Sequence, residues 1–435
     1  MTKKAGRISL MPEQHPSLTQ LLEKEDLEKF VQPYFKDREI YLSLVRKHGS
    51  PLWVLDASVL KDKAQRFSQA FSACFDKTSY YFAVKSNNHP EVAATLLESG
   101  FGLDVSSGIE LNTALNLGAG DIVFSGPGKT QEELGLALQH RDRVTLLLDS
   151  FGELDRLLAL LSGSNLASPV RVGIRLTTNS KGLWRKFGIV PEMLPEFWKK
   201  VAGLENINFK GLQFHSSWNL TQDRQVEFIT LLGQTLARMP QEFNHSIEFI
   251  DMGGGYWPEE GEWLHSPETL EGPSPLENST SCDAVRPHYR IPGTPIETFA
   301  KTLSHAVQTH LFPFVNCRIC FEPGRWICHS AMHLLFSVTD KKSHDLVITD
   351  AGSNVIGWER FETDYFPVLN LSRAGLLEKP CQILGSLCTP HDVFGYAYFG
   401  EGLEKGDCLM IPCQGAYTYS LGQNFIKGLP EVVKV

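Results

Sequence analysis

One lysine carries the first chemical signal. The run Tyr81-Phe-Ala-Val-Lys85-Ser-Asn87 reads as a buried strand that delivers Lys85 at its end. A lysine beside such an apolar run is paired, chemically used, or a strand-end side chain snorkelling to solvent. Burial lowers an amine's pKa, and a neutral lysine can attack a carbonyl to form a Schiff base. Other polar residues stand in or at the ends of further β-rich runs: Asp104, Arg175, His215, the glycines Gly253, Gly254 and Gly255, and Glu322-Pro323-Gly324-Arg325. Glycines without Cβ atoms let backbone N–H groups approach a phosphate, although a tight turn explains three glycines equally well. Arg325 offers a charged donor to the same phosphate. His215 either stacks on a ring or is a satisfied core histidine.

The elements that must position these groups are eight short β-rich runs: 79–85, 102–107, 121–126, 144–150, 170–176, 210–217, 247–255 and 317–325. Helical stretches lie between most of them, such as the one opened by Pro90 at a first-turn position. Strands spaced by one helix and two turns signal parallel βαβ units, and eight such units predict a (β/α)8 barrel. In a barrel all the strand ends converge on one mouth. A carboxylate such as Glu322 beside a pyridine nitrogen would keep that nitrogen protonated and make the ring an electron sink. An aldehyde-trapping lysine, a phosphate cup and this carboxylate together specify pyridoxal 5′-phosphate.

Three segments fall outside the barrel rhythm. Residues 257–295 are rich in Pro, Glu, Ser and Gly and read as a long insertion, either a substrate lid or, the preferred reading, a mobile surface excursion. From 328 onward short runs at 332–338, 345–350 and 406–412 predict a C-terminal antiparallel β-domain, which residues 51–56 can join. The expected division is therefore 1–50 as a helical or extended segment, 51–327 as the barrel and 328–435 as the β-domain.

Composition narrows the function classes. The chain has 435 residues, 42% hydrophobic and 21% charged, as in ordinary globular proteins. A net charge of −9 argues against nucleic acid or an anionic membrane as partner. The apolar stretches are too short to span a bilayer. Nine cysteines without disulfide-scaffold density point to a reducing, cytoplasmic setting. Cys317 and Cys320 have metal-ligand spacing, but on a strand they face opposite ways and no second pair lies nearby.

The runs FAVKSN, GLDVSSGIE, FSGPGK, RKFGI, DMGGG, FEPGR, GSLC…HD and GAYT occur in this order. Over roughly residues 50–430 the chain resembles the fold-type III pyridoxal-phosphate decarboxylases, the diaminopimelate and ornithine decarboxylase family related to alanine racemase. The resemblance implies an alanine-racemase-type barrel with a β-domain, and a homodimer that shares its active sites. It implies Lys85 as the Schiff-base lysine and His215 stacked on the cofactor ring. Gly254, Gly255, Glu322, Pro323, Gly324, Arg325 and Tyr417 would hold phosphate and pyridine nitrogen, with Asp104 and Arg175 beside them. Cys388, donated by the neighbouring subunit, would protonate the α-carbon, and Asp392 would help read the substrate. Without the flanking Gly385 and Asp392, Cys388 would read as an inert buried thiol.

Two departures bear on the substrate. The family resembles His-x-Gly-Ser after the sixth strand, with the serine on the phosphate; here the segment is His215-Ser-Ser-Trp218, which implies a reshaped cup. Diaminopimelate decarboxylases resemble Cys-Glu-Ser-x-Asp at the acid motif and carry an arginine after Asp-Ala-Gly-x-Asn. This chain has Cys388-Thr-Pro-His-Asp392, and Asp350-Ala-Gly-Ser-Asn354 followed by Val-Ile-Gly-Trp358. An amino acid or amino acid conjugate other than meso-diaminopimelate is therefore expected, with Trp358, Phe361, Tyr365 and Phe366 lining a roomier pocket or simply packing. The alternatives are a diaminopimelate or ornithine/lysine-type decarboxylase, a racemase, and a non-catalytic cofactor-binding homologue.

Overall fold

The computed structural model describes residues 19–162, 168–265, 284–357 and 363–435. Eight parallel strands close into a barrel: Thr78–Ala83, Gly102–Val105, Ile122–Phe124, Val144–Leu148, Val170–Leu176, Ile207–Phe214, Phe249–Asp251 and Arg318–Phe321, the last pairing with the first. They occupy the eight predicted runs, so the barrel expectation holds. Most of the strands stop short of the predicted ends because the backbone turns there toward a helix. Lys85, Ser125, His215, Gly255 and Glu322 lie in these turns, at the barrel mouth.

Local chemistry starts the helices. The Asp56 carboxylate accepts the Ser58 and Val59 N–H groups, Ser107 accepts the Glu110 N–H, and Thr130 with Glu133 forms a reciprocal capping box. Pro90 occupies the first turn of its helix, as read from the sequence.

The barrel interior is layered. Tyr81, Val123, Leu147, Phe249 and Cys320 form an apolar plug. Gly173 and Gly211 make room for it, since a Cβ on Gly211 would collide with Phe249. Two residues further along several strands the inward positions become polar, with Asp104, Gln213, Asp251 and Glu322 all buried. Cys320 belongs to the plug whereas Cys317 packs in the outer core, so the two thiols face opposite ways. The eight described cysteines are all free.

The second domain is a sheet of eight strands. Met332–Ser343, Leu346–Thr349, Glu378–Leu384, Val393–Phe399, Leu369–Asn370 and Cys408–Ile411 close on themselves, because Leu346–Thr349 pairs with both Met332–Ser343 and Glu378–Leu384. Leu52–Leu55 lies between Met332–Ser343 and the strand Glu431–Lys434. Most pairings are antiparallel, as expected; three are parallel, Glu431–Lys434 with Leu52–Leu55 among them.

The middle of the predicted insertion, 266–283, lies outside the described residues, as do Trp358 and Phe361. The flanks of the insertion are built into the protein. Glu262–Leu264 and Tyr289–Ile291 pair in a three-stranded sheet with Gln20–Leu21, and Trp257, Glu262 and His288 are buried. His288 stacks on Tyr365 with ring centroids 3.5 Å apart, and both reach Glu378. Among the described residues no helix is long and apolar enough to cross a membrane.

Candidate active site

Lys85 sits in a single 3₁₀ turn, Val84–Ser86, directly after the first barrel strand. Its Nζ donates to Asp104 Oδ2 at 2.7 Å. Asp104 is fully buried and also accepts from Ser125 Oγ. Burial alone would depress the amine, but the Asp104 and Glu322 carboxylates outweigh it and hold Lys85 above its ordinary pKa. The sequence reading anticipated the opposite direction; it counted the desolvation and not the carboxylate two strand positions away in space.

Arg175 ends the fifth strand. Its Nη1 donates to the Ser125 carbonyl at 3.2 Å, and its guanidinium lies 4.4 Å from the Phe187 ring centroid and 3.9 Å from Asp149 Oδ1. Arg175 thus braces the strand that holds Ser125, and through it Asp104.

His215 Nδ1 accepts the Gly254 N–H at 3.0 Å, which puts the ring proton on Nε2. Burial, with Lys85 and Arg175 nearby, pushes its pKa well below the usual value, so the ring is neutral. The same hydrogen bond corrects one expectation. The Gly254 N–H is spent on His215 and is not available to a phosphate. The glycine run is required by backbone approach: Gly253 and Gly255 have φ of +65° and +85°, and a Cβ on Gly254 would strike the Glu322 carbonyl. The Asn219 amide locks the turn by donating to the Ser216 and Gly254 carbonyls.

A cavity of about 370 Å³ opens above Lys85 and His215. Gly255, Ser217, Arg325 and Tyr417 line one part of it, and Trp218, Trp257, Phe366 and Leu421 form an apolar wall. The Arg325 guanidinium lies 4.3 Å from the Trp257 ring centroid and 5.0 Å from that of Tyr417, so two aromatic faces fix its plane. Trp218 and Tyr417 adopt left-handed backbone, with φ of 55° and 58°. Such strain in bulky residues marks positions that the surroundings enforce, and both side chains face the cavity. The Trp218 indole donates to Glu262 Oε1 at 3.1 Å, which ties the cavity wall to the insertion.

Pro323 and Gly324 do not line the cavity. The Pro323 carbonyl accepts the Ala83 N–H, and Gly324 packs where a Cβ would meet Ser86 Oγ, so these residues place Arg325. Glu322 is buried in the floor, and the Gln213 Nε2 donates to its two oxygens at 3.3 and 3.4 Å.

Cys388 lies apart from this cavity, exposed on the loop between Glu378–Leu384 and Val393–Phe399. Asp392, on the same loop, is buried. Its Oδ1 accepts the Ser353 N–H and its Oδ2 the Leu387 N–H, both at 2.6 Å. With each oxygen accepting a backbone N–H, Asp392 shapes the Cys388 loop. Gly385 is required there, because a Cβ would overlap the Asp392 carboxylate.

These residues fit pyridoxal phosphate. The amine stands at the cavity floor, a neutral imidazole faces the cavity, and a buried carboxyl lies beneath. The Arg325 plane, the Gly255 backbone and the Ser217 hydroxyl form a cup of donors suited to a phosphate. A barrel mouth equipped in this way defines a pyridoxal-phosphate enzyme. The family model for the pyridoxal-dependent decarboxylase, pyridoxal binding domain, matches residues 59–329, more than half the chain, and the chain belongs to that family of carboxy-lyases. It is 27% identical over 401 residues to the diaminopimelate decarboxylase of Methanothermobacter thermautotrophicus, covering 88% of this chain and 86% of the relative. It is 24% identical to the L-glutamyl-[BtrI acyl-carrier protein] decarboxylase of Niallia circulans, covering 92% and 91%. The diaminopimelate decarboxylase of M. jannaschii in complex with L-lysine shares the fold, with a TM-score of 0.74, 24% identity and coverage of 91% and 89%.

Asp251, Gln213 and Ser125 were not singled out from the sequence. The available signal was period two: Gln213 precedes His215 by two residues, and Asp251 precedes Gly253 by two.

Proposed function

We propose that this enzyme removes the α-carboxylate, as CO2, from an amino acid or amino acid conjugate other than meso-diaminopimelate, releasing the amine. Lys85 is the Schiff-base lysine and Cys388 the proton donor, reaching the site across a homodimer interface. The observation that carries the substrate class is the apolar wall of Trp218, Trp257, Phe366 and Leu421 on the cavity above Lys85. The acid motif agrees, with Thr389 where diaminopimelate decarboxylases resemble glutamate. The carrier-protein decarboxylase among the relatives adds support for a conjugated substrate.

When bound, pyridoxal phosphate supplies an electron sink for the pair left by the departing carboxyl group. Lys85 Nζ must lose a proton before it can attack a carbonyl, and Asp104 Oδ2 at 2.7 Å is the acceptor in place. Glu322 would hold a proton at the pyridine nitrogen, and His215, being neutral, would face the ring without opposing that positive charge. Arg325, Gly255, Ser217 and Tyr417 would anchor the phosphate. The aromatic wall excludes water from the side of the reacting carbon. Cys388 Sγ gives its proton to the α-carbon and recovers one from solvent, to which its loop is open.

The test is CO2 release by holoenzyme across lysine, ornithine, arginine, both enantiomers of each, meso-diaminopimelate, glutamate, and glutamate thioesterified to a carrier protein. Release from the thioester or from a free amino acid other than meso-diaminopimelate supports the proposal. Fast release from meso-diaminopimelate overturns its substrate clause and favours the second reading, a diaminopimelate decarboxylase, which the relatives' names support.

A further inference from the structure

The flanks of the insertion meet the N-terminal helix beside the active-site cavity. Phe30 lies on the helix Lys24–Lys36 and Trp263 on the strand Glu262–Leu264, and their rings meet edge-on with centroids 4.7 Å apart. Trp263 stacks in turn on Tyr365 at 6.2 Å, and Tyr365 is held by His288 and Glu378. This aromatic row, with Pro258 and Pro412, walls a side chamber of about 60 Å³. Two of its walls thus come from segments outside the eightfold βα repeat. Trp257, Arg325, Asp364 and Phe366 border both the chamber and the cavity above Lys85, so a single layer of residues separates the two spaces.

Size and lining select what the chamber can take. A water-sized sphere needs roughly 10–15 Å³ of such space, so about four to six fit, enough for a slender chain of that many heavy atoms. The walls are largely aromatic rings and prolines. The charged residues nearly balance, Lys63 and Arg325 against Glu260, Glu262 and Asp364, which favours an uncharged ligand. Its polar need is specific. Ser330 Oγ and His329 Nδ1 stand in the wall, buried and with no hydrogen-bond partner among the described residues. Burial, followed by Arg325 and Lys63, pushes His329 down to about 3, so this ring is neutral. A carbonyl oxygen would satisfy the Ser330 hydroxyl, whose burial without a partner is costly.

We propose that this chamber is the subsite for the far end of a conjugated substrate: a slender, uncharged chain that carries a carbonyl group for Ser330. The proposal rests on the reading of the substrate as an amino acid conjugate. The amino acid part stands over Lys85, and the chain crosses the layer of Trp257, Arg325, Asp364 and Phe366 into the chamber. The flanks of the insertion then have a task, which is to wall the subsite, and the helix that bears Phe30 closes it from the other side.

The experiment titrates holoenzyme with glutamate joined through its γ-carboxyl to ω-aminoacyl methylamides, a series that varies only the number of methylenes between the two amides. Calorimetry gives Kd and CO2 release is followed separately, with far-UV circular dichroism as the check on folding. Kd should pass through a minimum at the length that brings the second carbonyl to Ser330. Ser330→Ala should raise the Kd of that best member about three- to tenfold, the loss of one hydrogen bond. Ser330→Leu, which fills the chamber, should remove the minimum. A Kd that is the same at every length overturns the inference, and CO2 release from the series would then leave the conjugate reading standing. A minimum that Ser330→Ala leaves unmoved and undiminished places the chain elsewhere and also overturns it. A Kd minimum without CO2 release from any member overturns instead the reading of conjugates as substrates. If Ser330→Leu fails to fold, the Ser330→Ala comparison decides.

Discussion

The barrel mouth and the Cys388 loop solve opposite problems. At the mouth the groups named are half-buried and held by residues of one chain: Lys85 on Asp104, His215 on Gly254, and Arg325 between Trp257 and Tyr417. On the loop the Cys388 thiol is exposed, and the buried Asp392 carboxyl accepts two backbone N–H groups. Burial at the mouth tunes proton affinities; the loop instead fixes a shape and leaves its thiol to meet another surface. One chain thus gathers at its barrel mouth the residues that suit the cofactor and presents Cys388 elsewhere, which is the arrangement expected if that thiol serves a neighbouring subunit.

That contrast breaks most sharply under subunit mixing. Lys85→Ala should abolish CO2 release. Cys388→Ala should lower it by roughly 10²-fold or more, the scale of a lost general acid. Co-refolding the two inactive variants in equal amounts should restore about a quarter of wild-type CO2 release, because half of random dimers carry one intact site. No recovery would mean that both groups act within one chain.

A smaller effect sharpens the loop side. Asp392→Asn places an N–H against the Leu387 N–H, an unmet buried polar pair worth about 1–3 kcal/mol. The expected result is a fall in kcat of about tenfold with an unchanged Kd for pyridoxal phosphate. A weakened Kd would show that the loop and the mouth are coupled within one chain.

On the mouth side, burial makes the folded protein hold a proton on Asp251 that the unfolded chain releases between pH 3.8 and about 7. Because the folded state binds the extra proton, stability falls as pH rises through that window. Asp251→Asn removes this dependence, so its Tm should exceed that of wild type by a margin that grows from pH 5 to pH 8. The smallest effect belongs to Trp218→Phe, which removes the indole N–H to Glu262 but keeps an aromatic ring in the wall and should weaken pyridoxal phosphate two- to fivefold, as read by equilibrium dialysis.

Much of this was legible before any coordinates. Parallel barrel strands are short and apolar on both faces, so each stood out as a run, and the residues after them had to converge. Lys85, His215, Glu322 and Arg325 were found that way. Asp251 and Gln213 were not, because an inward acid inside a strand looks the same as an outward one until register is known. The backbone contacts of Asp392 were not legible, because a carboxylate's partners depend on which backbone groups reach it, here Ser353 from 39 residues away. The parallel pairing of Glu431–Lys434 with Leu52–Leu55 joins opposite ends of the chain and leaves no local trace.

The two tryptophans of the cavity wall give the protein its own optical gauge. Trp218 and Trp257 stand with ring centroids 6.3 Å apart and both border the space above Lys85. A chromophore that absorbs where indoles emit would quench them on entering that space. Cofactor loading should therefore be readable in real time from intrinsic fluorescence, and replacing these two of the eight tryptophans by phenylalanine should remove most of the signal.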